Sequence, residues 1–130
     1  MKIIYNKKYV SELIADTELH AGGVFFCVLY RDRFEFFENG TVEWTKELVD
    51  AFKPMDDTDV RHIENYKIMG THSFNERGYL VCSFEELFVK YTGLATEKDK
   101  NLIPFSGYNS RISRSWGALF RLENEPGSAL

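Results

Sequence analysis

The side chains best able to do chemistry in this sequence stand apart from one another. Histidine occurs at 20, 62 and 72, and neither interval has the one-turn spacing with which two imidazoles on a helix grip zinc. Solvated loop histidines are the expectation for all three. Asp56, Asp57 and Asp59 form an acidic cluster. An EF-hand loop, however, needs a glycine midway and a bidentate glutamate at its end, and the positions where these would fall hold Arg61 and Lys67. A turn capping the segment that follows is the better account. Cys27 and Cys82 each lie inside an apolar run, which reads as free buried thiols and not as a disulfide frame. No nucleophile with a base, no opposed pair of carboxylates and no metal cluster is legible. Neither a catalytic set, a metal nor a cofactor is therefore expected.

Two groups of residues could bind rather than react. The stretch Ser110-Arg111-Ile112-Ser113-Arg114-Ser115-Trp116-Gly117 is basic and hydroxyl-rich in a chain of formal charge -4. It could hold a phosphate or carboxylate through charge-assisted hydrogen bonds, or itself accept a phosphate. Its plainer reading is an exposed loop feeding the last strand, with Trp116 plugging one end of the fold. The second group is the aromatic set Phe34, Phe36, Trp44, Tyr66, Tyr79 and Phe120. Such rings could line an apolar cavity, with Arg111, Arg114 or Arg121 anchoring an acidic ligand, or they could fill a narrow closed sheet. Rings this large and frequent favour filling.

Composition bounds the frame that must position these groups. With 130 residues, 44% of them hydrophobic, the chain fits one domain with a core of its own. The 28% charged fraction and the acidic balance speak against a nucleic-acid partner, which would call for a basic stripe. No segment approaches the ~20 apolar residues of a membrane span, and the start, Met1-Lys2-Ile3-Ile4-Tyr5-Asn6-Lys7-Lys8, carries no apolar run of signal-peptide length. The expected compartment is the cytoplasm. Aromatics make up 15%, with 11 Phe and 7 Tyr, and such side chains suit the pleated face of a sheet.

Along the chain, Val10, Leu13, Ile14 and Thr17 fall at helical spacing, and Gly22-Gly23 follow as a stop, so residues 6–19 are expected to form a short helix. From Val24 to Phe37 the chain reads as one long strand or two short ones, broken or not at Arg31-Asp32-Arg33. Asn39-Gly40 then marks a hairpin turn. A two-residue loop would pair Phe37 with Val42 and mix core with solvent residues on each face. A three-residue loop with Gly40 in a left-handed bulge places Phe34, Phe36, Val42 and Trp44 together, and is preferred. Leu48, Val49 and Phe52, ahead of Pro54, suggest a short crossover helix over 45–54. Strand patterns return at 66–69, 79–84, 87–92, 101–105 and 118–122, and the tail 125–130 is expected to fray.

The order of a long aromatic strand, the hairpin Phe34-Glu35-Phe36-Phe37-Glu38-Asn39-Gly40-Thr41-Val42, a crossover and the strand Tyr66-Lys67-Ile68-Met69-Gly70 resembles the small lipocalin-like barrels, including those at the carboxyl end of some F-box proteins. The likeness covers about residues 23–124. It implies a mainly β fold, an antiparallel barrel of about eight strands with one or two short helices, and the helical spacing before it makes residues 1–22 a lead-in. Two departures concern ligand chemistry. Gly22-Gly23-Val24-Phe25 stands where secreted lipocalins have Gly-x-Trp, and the last strand reads Arg121-Leu122-Glu123 where fatty-acid-binding barrels have Arg-x-Tyr. Two functions follow as expectations: a module holding a small apolar or acidic ligand among Phe34, Phe36, Trp44, Tyr66 and Tyr79, with Arg111, Arg114 and Arg121 as anchors, or a solid barrel serving as a structural or protein-interaction domain.

Overall fold

The computed structural model describes residues 3–20, 24–52, 66–96 and 98–123. Nine strands run through them: β1 (Lys8–Ser11), β2 (Ile14–His20), β3 (Val24–Phe36), β4 (Thr41–Phe52), β5 (Tyr66–Phe74), β6 (Leu80–Phe84), β7 (Val89–Gly93), β8 (Leu102–Asn109) and β9 (Arg114–Leu122). The one helical element among the described residues is a 3-10 turn, Glu85–Leu87. From β3 onward each strand pairs antiparallel with the next. The ring closes through β1, where Tyr9 lies opposite Phe34 on one side and Leu122 on the other. The result is an eight-stranded antiparallel barrel. β2 stands outside the ring and follows the far half of β3, Ile14 opposite Tyr30 and His20 opposite Val24. With the outer parts of β3 and β4 it extends the sheet beyond one end of the barrel.

The bulged hairpin forms as its side-chain facing requires. The Phe37 N–H donates to the Thr41 carbonyl (3.0 Å), Gly40 takes φ +88°, and Phe34 faces Trp44 while Phe36 faces Val42. Both expected helices are instead strand. Residues 8–11 gain backbone partners on two sides, from β3 and β9, and residues 14–20 pair with β3. A lone helix of that length is marginal in water and offers no such ladder. The barrel therefore begins at Lys8 and not near residue 23, and the described residues of 1–22 contain no helix. Over 45–52 the spacing of Leu48, Val49 and Phe52 is equally open to a short strand, and pairing with β3 as far as Cys27 opposite Phe52 decides for strand. A register shift opposite Leu29 and Tyr30 absorbs Val49. β3 itself runs unbroken through Arg31-Asp32-Arg33. Pro54, the Asp56, Asp57 and Asp59 cluster, His62 and the tail lie outside the described residues.

Aromatic rings fill the interior. Phe34, fully buried, stacks on Phe120 at 4.4 Å and meets Tyr91 (5.1 Å) and Phe105 (5.5 Å) edge-on, with Phe84 at 5.7 Å. Burying each such ring contributes about 1.5–3 kcal/mol, and offset or perpendicular pairs add to that. Space for them comes from glycine: a Cβ on Gly107 would come within 2.5 Å of the Trp116 ring, which lies over it across the β8–β9 pair. On the outside, Arg33 joins the closing seam by binding Glu47 on β4 and Glu123 after β9, each at 2.9 Å.

One end of the barrel is sealed by the segment before β1. Ile3 is buried in the core, and the Asn6 N–H donates to the Phe36 carbonyl at 2.9 Å. The Tyr9 hydroxyl accepts from the Ile4 N–H (3.0 Å) and donates to the Lys100 carbonyl (2.6 Å). His72 packs edge-on against Phe36 at 5.2 Å and lies 6.0 Å from the Tyr5 ring. Its Nδ1 is 2.9 Å from the Thr41 carbonyl, which can only accept, so that nitrogen carries the proton. This histidine is half-buried in a strand, not solvated in a loop. Cys82 is buried, whereas Cys27, expected inside, is exposed; both are free thiols.

Candidate functional site

The opposite end is open. There the strand extension and the turns at 85–88 and 110–113 surround a cup of about 390 Å3. Alternation along the strands decides what lines it. Tyr30 precedes the buried Asp32, Phe34 and Phe36 on the inward face of β3, so it emerges at the rim. Trp44 and Lys46 share the inward face of β4, and Arg114 and Trp116 are likewise two residues apart on β9. Tyr91 rises from β7, and Asn109 ends β8.

Three of these rings form a continuous row. Trp44 meets Tyr91 at 5.7 Å and 85°, and Tyr91 meets Trp116 at 5.6 Å and 84°. The Lys46 ammonium sits 4.0 Å above the Tyr30 ring, a cation–π contact that holds the charge at the rim. Lys46 and Arg114 are cationic, and among the described residues that line the cup none is a carboxylate.

Asp32 lies behind this lining. It is 1% exposed, stands opposite Lys46 in the β3–β4 register, and accepts a 2.9 Å hydrogen bond from the Trp44 indole N–H. Its own backbone N–H donates to the Ser11 hydroxyl at 2.9 Å. Burial raises its carboxyl from 3.8 to about 6, against the opposing pull of the Trp44 N–H and the Lys46 charge. A carboxyl so tuned could exchange protons near neutrality. Asp32 itself is not among the residues that line the cup.

The sequence-derived candidates divide among three places. Trp44 and Arg114 line the cup. Phe34 and Phe36 lie deeper, fully buried among other rings, so they fill the interior and line no cavity. Tyr79, Arg111 and Arg121 stand elsewhere: Tyr79 is exposed beside the 75–78 turn, Arg111 stacks at 5.7 Å on the exposed Phe88, and Arg121 is exposed midway between Val10 and Leu102 in the sheet. For Tyr79 and Arg121 the outward phase of the strand is the reason. Tyr66 opens β5 opposite Lys46, and its side chain is outside the described residues. Sequence reading missed Lys46, Tyr30, Tyr91 and Asp32. The signal for Asp32 was its phase, since 30, 32, 34 and 36 alternate onto one face.

Two larger hollows, about 570 and 510 Å3, are more open and lie where β1 and β2 part from β9 and beside Phe88 and Tyr108. Among the described residues no group of three His, Cys, Asp or Glu could hold a metal ion, and no helix is long and apolar enough to cross a membrane. Comparison with protein-family models, curated proteins and solved structures returns no match.

Proposed function

We propose that this domain binds a small molecule in the cup at its open end and not in the barrel interior. The observation that carries the reading is the contrast within one barrel: a core filled by Phe34 and its neighbours, with Trp44 and Tyr91 as its outermost layer, and above that layer a cup bordered by the half-buried Trp116. Its volume falls at the small end of the ~300–1,000 Å3 range of ligand sites, which are mostly apolar with a few polar anchors. An eight-stranded up-and-down barrel is also the frame of the lipocalins, and the likeness of the Phe34–Val42 hairpin to lipocalin-like barrels supports the same reading. The missing Gly-x-Trp and Arg-x-Tyr signatures agree with a ligand held at the mouth by other residues.

Both tryptophans of the chain line the cup, so their emission reports on it. Native mass spectrometry of protein purified from cells, read beside tryptophan emission during titration with a panel of small metabolites, tests the proposal. The expected result is a bound mass or an emission change that weakens about tenfold or more in Trp116→Ala, the loss of one aromatic wall. A clean mass with unchanged emission across the panel would assign the domain to a structural or protein-interaction role.

A further inference from the structure

We infer that the slot in the barrel wall between β2 and β9 is a strand-addition site, where an extended apolar peptide segment of another protein pairs with the free edge of β9; the inference does not depend on the cup. The wall closes only in part. β1 runs beside β9 at Tyr9 and Leu122, Val10 and Arg121, and Ser11 and Phe120, and one further bond joins the Glu12 N–H to the Leu119 carbonyl at 3.3 Å. The chain then leaves for β3, which β2 follows to its end, while β9 reaches back to Arg114 with β8 as its one described neighbour along that stretch. Alternate residues of an antiparallel strand turn both backbone groups to the same side. The Leu122 N–H donates to Asn101, just ahead of β8, and the Glu123 N–H to Lys8 in β1. Ser115 and Gly117, in phase with Leu119 and Glu123, therefore turn their groups away from β8. Both are exposed, and among the described residues nothing pairs with those N–H and C=O groups.

The slot itself says what fills it. Leu13, Ile14 and Ala15 on one side and Gly117, Ala118 and Leu119 on the other line a hollow of about 570 Å3, room for roughly three to four residues of a strand at the ~4.8 Å and ~10 Å spacings of a sheet. Free edges are ordinarily blunted by charge, proline or a bulge. β2 carries Asp16 and Glu18, whereas Ser115-Trp116-Gly117-Ala118 has neither charge nor proline and keeps an unshifted register with β8. That leaves β9 as the edge competent to pair. Out of phase with the buried Phe120, Gly117 leaves open space where a Cβ would stand, so a large side chain on the added strand can lie across it. A second copy cannot supply this strand. Every described strand of the chain is already joined to its sheet on at least one side, and a strand with a sheet attached does not fit between two walls of one barrel. An unpaired peptide does, continuing the line of β1 antiparallel to β9.

The probe is an acetylated, amidated heptapeptide, Lys-Thr-Val-Phe-Val-Thr-Lys, titrated into the intact protein beside two counterparts N-methylated on its odd or on its even amides. The counterparts keep every side chain and charge and lose the donors of one edge. Amide hydrogen exchange followed by NMR reads the site. In the protein alone Ser115 and Gly117 are expected to exchange as unprotected amides, and with millimolar peptide to slow about tenfold or more. The counterpart methylated on the edge that faces β9 is expected to bind about tenfold more weakly, the scale of one lost hydrogen bond. Gly117→Pro removes an N–H at an edge position where a strand tolerates proline; it is expected to keep the fold and to weaken binding by the same factor. Should it not fold, the methylated peptides carry the test alone. Equal binding of all three peptides, or no binding of the parent at millimolar concentration, overturns the inference. So does protection of Ser115 and Gly117 in the free protein, which would show the edge covered by the chain itself or by a second copy, and sedimentation separates those two. None of these outcomes bears on small-molecule binding in the cup.

Discussion

The two ends of this barrel close space by different means. At the sealed end, backbone and hydroxyl groups lock the chain onto itself: Tyr9 bridges Ile4 and Lys100, Asn6 binds Phe36, and His72 fills the gap beside Phe36. At the open end the half-buried Trp116 borders the cup together with Lys46 and Arg114. One end is closed by hydrogen bonds of the chain to itself, while the other leaves a cup of about 390 Å3. Under the proposed function, stability and binding fall at opposite ends of one core.

The sharpest way to break this contrast is to truncate one ring at each end. Phe36→Ala is expected to lower unfolding free energy by about 3–5 kcal/mol in urea titration, the cost of losing a fully packed Phe. Trp116→Ala, removing a half-buried ring, is expected to cost clearly less. Equal losses would mean that the cup is part of the core.

Next in size is the protonation of Asp32. Between 3.8 and about 6 the folded state keeps a proton that the unfolded chain has released, so stability is full below that window and falls as pH rises through it. At about 1.36 kcal/mol per pKa unit the loss is about 3 kcal/mol. Urea titrations of wild type and Asp32→Asn at pH 4 and pH 8 are expected to show the variant gaining relative to wild type at the higher pH. An unchanged difference between the two pH values would place the carboxyl in contact with water.

At the sealed end, Tyr9→Phe leaves the Ile4 N–H and the Lys100 carbonyl without their shared partner and is expected to cost about 1–3 kcal/mol. A neutral result would show the lock to be dispensable. The smallest effect belongs to His72. Burial lowers its pKa, with the hydrogen bond to Thr41 opposing, so the unfolded chain takes up the proton first and stability falls as pH drops below the ordinary histidine value. His72→Gln is expected to flatten that acid limb. Acid therefore relieves the open end and weakens the sealed one, and opposite slopes in the Asp32 and His72 variants would show it.

Much of the fold was legible where one face is buried and the turn is specific. Asn39-Gly40 between two aromatic runs fixed the register, because a one-residue slip would have put Phe34 and Phe36 in water. What the sequence hid was long-range pairing. Val10, Leu13 and Ile14 satisfy a helical spacing, and only pairing with β3 and β9 makes Val10 and Ile14 strand residues. The cup was hidden for the same reason. Arg114 and Trp116 were visible as a local patch, but Lys46, Tyr30 and Tyr91 join them only after the sheet curls. Asp32 looked like a charge interrupting a strand, while its phase with Phe34 placed it inside.

The placement of β1 between β3 and β9 bears on how the protein is made. Tyr9 leaves the ribosome early and Leu122 late, and at about 5–20 residues per second their pairing is delayed by on the order of ten seconds. Through that interval the nascent chain holds an open sheet with its aromatic face uncovered. Slow refolding from denaturant is the expected cost of a barrel whose first strand waits for its last.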